Sequence, residues 1–240
     1  MKERSSFTKV IASVAVLVGV LAFASAQAVE TGKAVVRSVK GKAQYAEGGA
    51  WMALEVGQTL KPGTQVKTGN DSEVDLFLDQ NGPLVRLMEN TTLGIDKLCF
   101  EPTGADTVVE TQLDLKSGRI VGIVKKLAAT SKYEVKTPNG VAGIRGTEYS
   151  ISANGDVMVA TGSVVVVYVK ADGTVVTQVV GEGEMFDAAT GKVRAMTTEE
   201  KTDTQRKVQS LKGMAAAPVA VEDVPVIFIS PALGAQGTVE

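Results

Sequence analysis

Histidine is absent from this 240-residue chain. That removes Ser-His-Asp and Cys-His catalysis and the commonest metal ligand. Cys99 is the only cysteine, so no intrachain disulfide can form and a structural zinc site lacks its usual thiolates. Placed between Leu98 and Phe100, it is expected in the core rather than as a reactive thiol. Aromatic residues are few, with one Trp, four Tyr and six Phe, which speaks against an aromatic-lined saccharide platform. The single Trp51 is expected as a core anchor. An excess of one charge is also missing. With 25 Lys and Arg against 27 Asp and Glu, nothing marks a surface for nucleic acid or an anionic membrane.

Long apolar runs are confined to the N-terminus. Lys2, Arg4 and Lys9 precede a nearly uncharged stretch from Val10 to Ala24, followed by Ala26-Gln27-Ala28. This is the pattern of a signal peptide over residues 1–28, with a mature start at Val29. The run falls short of the roughly 20 residues of a spanning helix; an uncleaved anchor is the alternative. Cleavage takes away three basic residues and Glu3, leaving 22 basic against 26 acidic residues in 212. The expectation is a periplasmic or secreted protein with no membrane span once the leader is gone.

What is present is strand and turn. Val74, Leu76 and Leu78 alternate with Asp75, Phe77 and Asp79, and Leu113/Leu115 and Tyr133/Val135 repeat the period of two. Val164–Val169 is an unbroken β-branched run, expected of a strand covered on both faces. Asn81-Gly82, Asn154-Gly155 and Asp172-Gly173 supply turn chemistry between such segments. Residues 29–196 therefore read as an all-β domain of many short strands, solenoid-like or a sandwich, a choice that periodicity leaves open. Residues 197–214 read as a polar surface helix capped by Thr197 or Thr198. Residues 215–240 read as a linker and tail, with the apolar run Val224–Ile229 as a docking strand or a partner-binding segment.

The candidates for chemistry are thin. Asp75 and Asp79 alternate on one strand, as acids on a solvated face do. Gly140, Gly143 and Gly146 are spaced like a phosphate cradle, but no Lys-Ser/Thr follows and a strand replaces the needed helix N-terminus. No catalytic, cofactor-binding or metal-ligating residue is assigned, and no cofactor is expected. Arg145, among those glycines, is expected to tie down carbonyls freed by an irregular backbone rather than to project.

The same stretch carries a family resemblance. Thr137-Pro138 followed by Gly143-Ile144-Arg145-Gly146-Thr147 resembles the signature of the FecR domain. The resemblance runs over roughly residues 33–187, through Trp51-x-x-Leu54-x-x-Gly57-x-x-Leu60-x-x-Gly63-x-x-Val66-x-Thr68, Ser72-x-Val74-x-Leu76-x-Leu78, Asn90-Thr91-x-Leu93-x-Ile95 and Leu113-x-Leu115-x-x-Gly118-x-Ile120. It implies structural roles for Thr137, Pro138, Gly143, Arg145, Gly146 and Thr147. In its best-known setting the domain is the periplasmic part of a membrane-anchored anti-sigma regulator, reached by protein contact from an outer-membrane transducer. Here only nine residues precede the apolar run, so no cytoplasmic sigma-binding segment is expected. The resulting expectation is a non-catalytic interaction or scaffolding module of the cell envelope with a protein partner. A periplasmic sensor of a small ligand or glycan, or a component of a sigma-factor and TonB-receptor system, is the alternative.

Overall fold

A computed structural model describes residues 28–82, 84–103 and 106–216. The expected leader, Pro83 and the tail with Val224–Ile229 lie outside them. The chain opens with β1 (Glu30–Thr31), β2 (Ala34–Lys40), β3 (Ala43–Ala46), β4 (Met52–Ala53), β5 (Thr59–Leu60) and β6 (Gln65–Thr68). β7 (Glu73–Phe77) and β8 (Leu84–Leu87) flank a 3-10 turn at Asp79–Asn81. The long strands β9 (Thr92–Thr103) and β10 (Asp106–Ser117) follow. Then come β11 (Arg119–Ile123), β12 (Lys132–Thr137), β13 (Gly140–Ile144), β14 (Glu148–Ser152) and β15 (Val157–Thr161). β16 (Val164–Val169), β17 (Val175–Val180), β18 (Glu184–Asp187) and β19 (Lys192–Ala195) lead into helix α1 (Thr198–Ala216).

These strands form two sheets. One runs β17-β16-β13-β12-β10-β9-β6-β3-β4, with β1 beside β9; the other runs β19-β18-β15-β14-β11-β8-β7-β2-β5. Apart from β1, each order follows the chain, except that the two-residue strands β4 and β5 fold back outside β3 and β2. The chain lays down a strand or a hairpin in one sheet, crosses, and continues in the other. Pairing is antiparallel everywhere except between β10 and β12. The two architectures left open by periodicity thus meet in one molecule: a sandwich wound progressively, as a solenoid is.

Alternation explains the core. Val74 and Leu76 of one sheet, and Leu93, Leu113, Leu115 and Val135 of the other, are fully buried in one continuous apolar cluster. Each such side chain contributes roughly 1.5–3 kcal/mol of transfer free energy. The Asn-Gly and Asp-Gly turns join β14 to β15 and β16 to β17 as expected. Gly155 and Gly173 take φ of +104° and +83°, which a side chain would oppose. Asn81 has a second task. Its side chain is buried in the 3-10 turn and its amide donates to the Cys99 carbonyl at 2.8 Å and the Glu110 carbonyl at 3.1 Å, pinning the β7–β8 connection to the facing sheet.

Helix α1 starts with a reciprocal cap: the Glu200 N–H donates to Thr197 Oγ1 and the Thr197 N–H to Glu200 Oε2, satisfying donors the first turn leaves free. The apolar content that looked thin is enough to dock it. Val208 and Leu211 are buried against Leu84 and Val121, on the outer face of the nine-stranded sheet. β8 is consequently covered on both sides.

Four expectations are corrected. Val164–Val169 is covered on one face only, since Val165, Val167 and Val169 remain 45, 38 and 44% exposed. Asp75 is not a solvated acid: it is buried and faces Arg86 in the neighbouring strand. Trp51 is no core anchor; it lies at the surface with the Lys67 ammonium 4.3 Å above its ring. Cys99 is half-buried rather than in the core, because it alternates with the fully buried Leu98 and so lies on the opposite face of β9, beside the two-residue β1.

Candidate functional site

The glycine-rich stretch is only partly a loop. Thr137-Pro138-Asn139-Gly140 closes the hairpin between β12 and β13, and Gly140–Ile144 is itself a strand, paired with β12 on one side and β16 on the other. A Cβ on Gly140 would come 2.3 Å from the Val167 carbonyl oxygen, so the two backbones approach closely there. Gly143 is different, with its nearest neighbour 3.7 Å away.

The crossing between sheets falls on Arg145-Gly146-Thr147. Gly146 takes φ +66° over the Lys126 backbone. Thr147 is buried; its hydroxyl donates to the Ser163 carbonyl at 2.7 Å, and its own carbonyl accepts from the Val124 N–H. Arg145 departs from expectation. It is exposed, and its side chain makes no hydrogen bond or ion pair among the described residues. At this crossing the Ser163 carbonyl is served by the Thr147 hydroxyl and the Thr147 carbonyl by the Val124 N–H, without Arg145.

Beyond the crossing, Tyr149 enters the core beside Tyr133 of the opposite sheet, hydroxyl to hydroxyl at 3.3 Å. Gly122 makes the space, since a Cβ there would meet the Tyr149 hydroxyl at 2.3 Å. Burial pushes both phenols well above the usual tyrosine range, because the phenolate would lose its water. The pair is a neutral polar contact across the sandwich. Among the described residues each hydroxyl has the other as its side-chain hydrogen-bond partner.

What the crossing positions is the outer face of β13, β16 and β17. The register sets Val141 beside Val167 and Thr177, Val165 beside Val179, and Val169 beside Val175. Side chains opposite each other in antiparallel strands share a face, so these residues form one apolar surface. Val175 and Val179 are 61 and 62% exposed. The patch ends inward at β12, where Lys136 pairs with Asp96 and Glu134 accepts from Gln112. Outward it ends at β17, which has no further strand beside it among the described residues. Sequence reasoning named the motif but missed this surface. Val175-x-Thr177-x-Val179 carries the alternation of a strand but no mark that its outer face is uncovered.

No group of three His, Cys, Asp or Glu side chains placed to hold a metal occurs among the described residues. No described helix is long and apolar enough to cross a membrane.

Residues 64–167 match the family model described as FecR protein. No curated protein matches. Two crystal structures of a candidate anti-sigma factor from Parabacteroides distasonis ATCC 8503, at 1.65 and 2.50 Å resolution, are similar to this chain with TM-scores of 0.44 and 0.42. Identity is 13% in both, over 60 and 58% of this chain and 64 and 62% of theirs. The chain thus spans less than two thirds of those proteins' length, a likeness too slight to carry a role across. The stretch similar to the family model takes in the β12–β13 hairpin, the crossing at Thr147 and the first part of the valine strand β16.

Proposed function

We propose that this chain is an exported FecR-domain protein that works in the cell envelope as a non-catalytic protein-interaction module. The observation that carries the reading is the valine surface of β16 and β17, which runs to a strand edge with no neighbour among the described residues. Such an edge receives a partner strand by main-chain hydrogen bonding, while flanking side chains give selectivity. The basic start and apolar run of residues 2–24, closing on Ala26-Gln27-Ala28, support export.

Affinity capture from envelope extract with the full chain, beside its Val167→Asp variant, tests the proposal. The expected result is a captured protein whose yield falls at least about tenfold in the variant, since a carboxylate in the patch would have to be desolvated on docking. Capture that is indifferent to Val167→Asp and to substitutions in β17 overturns the assignment of the surface. Detection of the mature chain only in the cytoplasmic fraction overturns the envelope reading.

A further inference from the structure

Among the described residues the open edges of the two sheets are β1, β4 and β17 in one and β5 and β19 in the other. Exposed edges invite unwanted pairing, and proteins blunt them by shortness or by charge. β1, β4 and β5 are two residues each. β19 reads Lys192-Val193-Arg194-Ala195, with both cations exposed. β17 has neither device. It reads Val175-Val176-Thr177-Gln178-Val179-Val180, six residues with no charge and no proline. Among the described residues the other edges are protected and β17 alone is left ready to pair.

Its order of residues is nearly the same in both directions, which suits pairing with itself. In the hairpin with β16 the Lys170 N–H donates to the Thr174 carbonyl. With the register of Tyr168 opposite Val176 and Val166 opposite Gln178, the alternation of antiparallel hydrogen bonds turns the even-numbered residues of β17 toward β16. The N–H and C=O groups of Val175, Thr177 and Val179 therefore point to the free edge. The side chains of these same three residues lie on the outer face. Two copies related by a two-fold axis at Thr177 would pair Thr177 with Thr177 and Val175 with Val179. Edge bonds and valine faces are then matched in one register, and a one-residue slip would break both.

We propose that the partner of this edge is a second copy of the chain, joined by antiparallel β17–β17 pairing about Thr177. This rests on the interaction-module reading and names its partner. The contact is isologous and closes on itself, and the cations of β19 discourage further edge stacking. A head-to-tail contact with β4 would have only two residues to offer. The paired molecule would carry one continuous sheet, with the valines of both copies meeting at its centre.

Sedimentation velocity of the full chain over a concentration series reads the proposal. Dimer is expected, with dissociation at least about tenfold easier in Thr177→Lys, which sets two like charges opposite each other. Thr177→Cys in a Cys99→Ser background should form an intermolecular disulfide on mild oxidation, because residues opposite in a hydrogen-bonded pair lie about 5.5 Å apart at Cα, within disulfide range. Val176→Cys, which faces inward, should not. A wild-type monomer at all concentrations, or a dimer untouched by Thr177→Lys, overturns self-pairing. So does a dimer lost on truncation after Ala216, which would make the tail its source. A monomer whose envelope capture is still abolished by Thr177→Lys ends the self-pairing proposal and leaves the interaction reading standing.

Discussion

The Arg86 guanidinium and the Asp75 carboxylate meet side by side across paired strands, Nε to Oδ1 at 2.6 Å and Nη2 to Oδ2 at 2.8 Å. The remaining nitrogen, Nη1, donates to Ser210 Oγ on α1 at 3.0 Å. Hydrogen bonding to Asp75 raises the affinity of Arg86 for its proton. Both residues are nearly buried, and the helix closes over them. Asp75→Ala should cost about 3–5 kcal/mol in urea unfolding, since it strands a guanidinium beneath the helix. The double change Asp75→Leu with Arg86→Met should recover most of that loss. If Asp75→Ala unfolds at the wild-type midpoint, the pair is not holding the sheet and helix together.

The helix cap has its own signature in acid. Glu200 hydrogen-bonds Arg194 and the Thr197 N–H, which hold its carboxyl at about 2, against 4.5 for an ordinary glutamate. A depressed carboxyl stabilises the fold above pH 4.5, and that contribution is lost as pH falls from 4.5 toward 2. Glu200→Gln should therefore be less stable than wild type at neutral pH, with the gap closing below pH 4. A gap that stays constant down to pH 2 would show that Glu200 is not ionised in the cap.

At the alkaline end the tyrosine pair takes over. The folded-state phenols are raised above the roughly 10 of a free tyrosine. Their contribution is complete below pH 10 and declines as pH rises past it, because the unfolded chain releases protons that the folded one retains. Tyr149→Phe leaves the Tyr133 hydroxyl buried without its partner, at a cost of about 1–3 kcal/mol. Replacing both by Phe should cost less than that single change. A double variant weaker than either single one would mean the hydroxyls find other partners.

Two motif glycines should behave oppositely. Gly140→Ala drives a methyl against the Val167 carbonyl, an overpacking that typically costs about 1–3 kcal/mol. Gly143→Ala meets no close atom and should change stability by less than about 0.5 kcal/mol, as should Arg145→Lys at its exposed position. Thermal melts of the three variants order them; a damaging Gly143→Ala with a silent Gly140→Ala would contradict the β12–β13–β16 register.

Local chemistry was the legible part. Asn154-Gly155 and Asp172-Gly173 could be read as hairpins because their φ requirements are met within two residues. Leu76 and Val135 could be placed in the core because the period of two needs no knowledge of the neighbour. What failed depended on who lies across the strand. Asp75 looks solvent-facing until Arg86, eleven positions on, is folded opposite it and α1 is laid over both. Val164–Val169 contains no polar residue but Tyr168 to mark its outer face, so composition hid a half-exposed strand. The valine surface was invisible for the same reason: an uncovered edge is a property of the last strand in a sheet, and nothing in Val175–Val180 itself says that no strand follows.

The winding of the sandwich has a consequence for how the molecule can be made and altered. Apart from β1 and the fold-back strands β4 and β5, each new strand is added at the growing margin of its sheet and never wedged between two that are already joined. Assembly can advance in one direction, each step closing a loop of moderate length at modest entropic cost. A unit of two hairpins, one per sheet, can be gained or lost without rethreading the rest. Such a fold can change its reach while keeping its cross-section, and its two terminal margins are where that growth has been stopped.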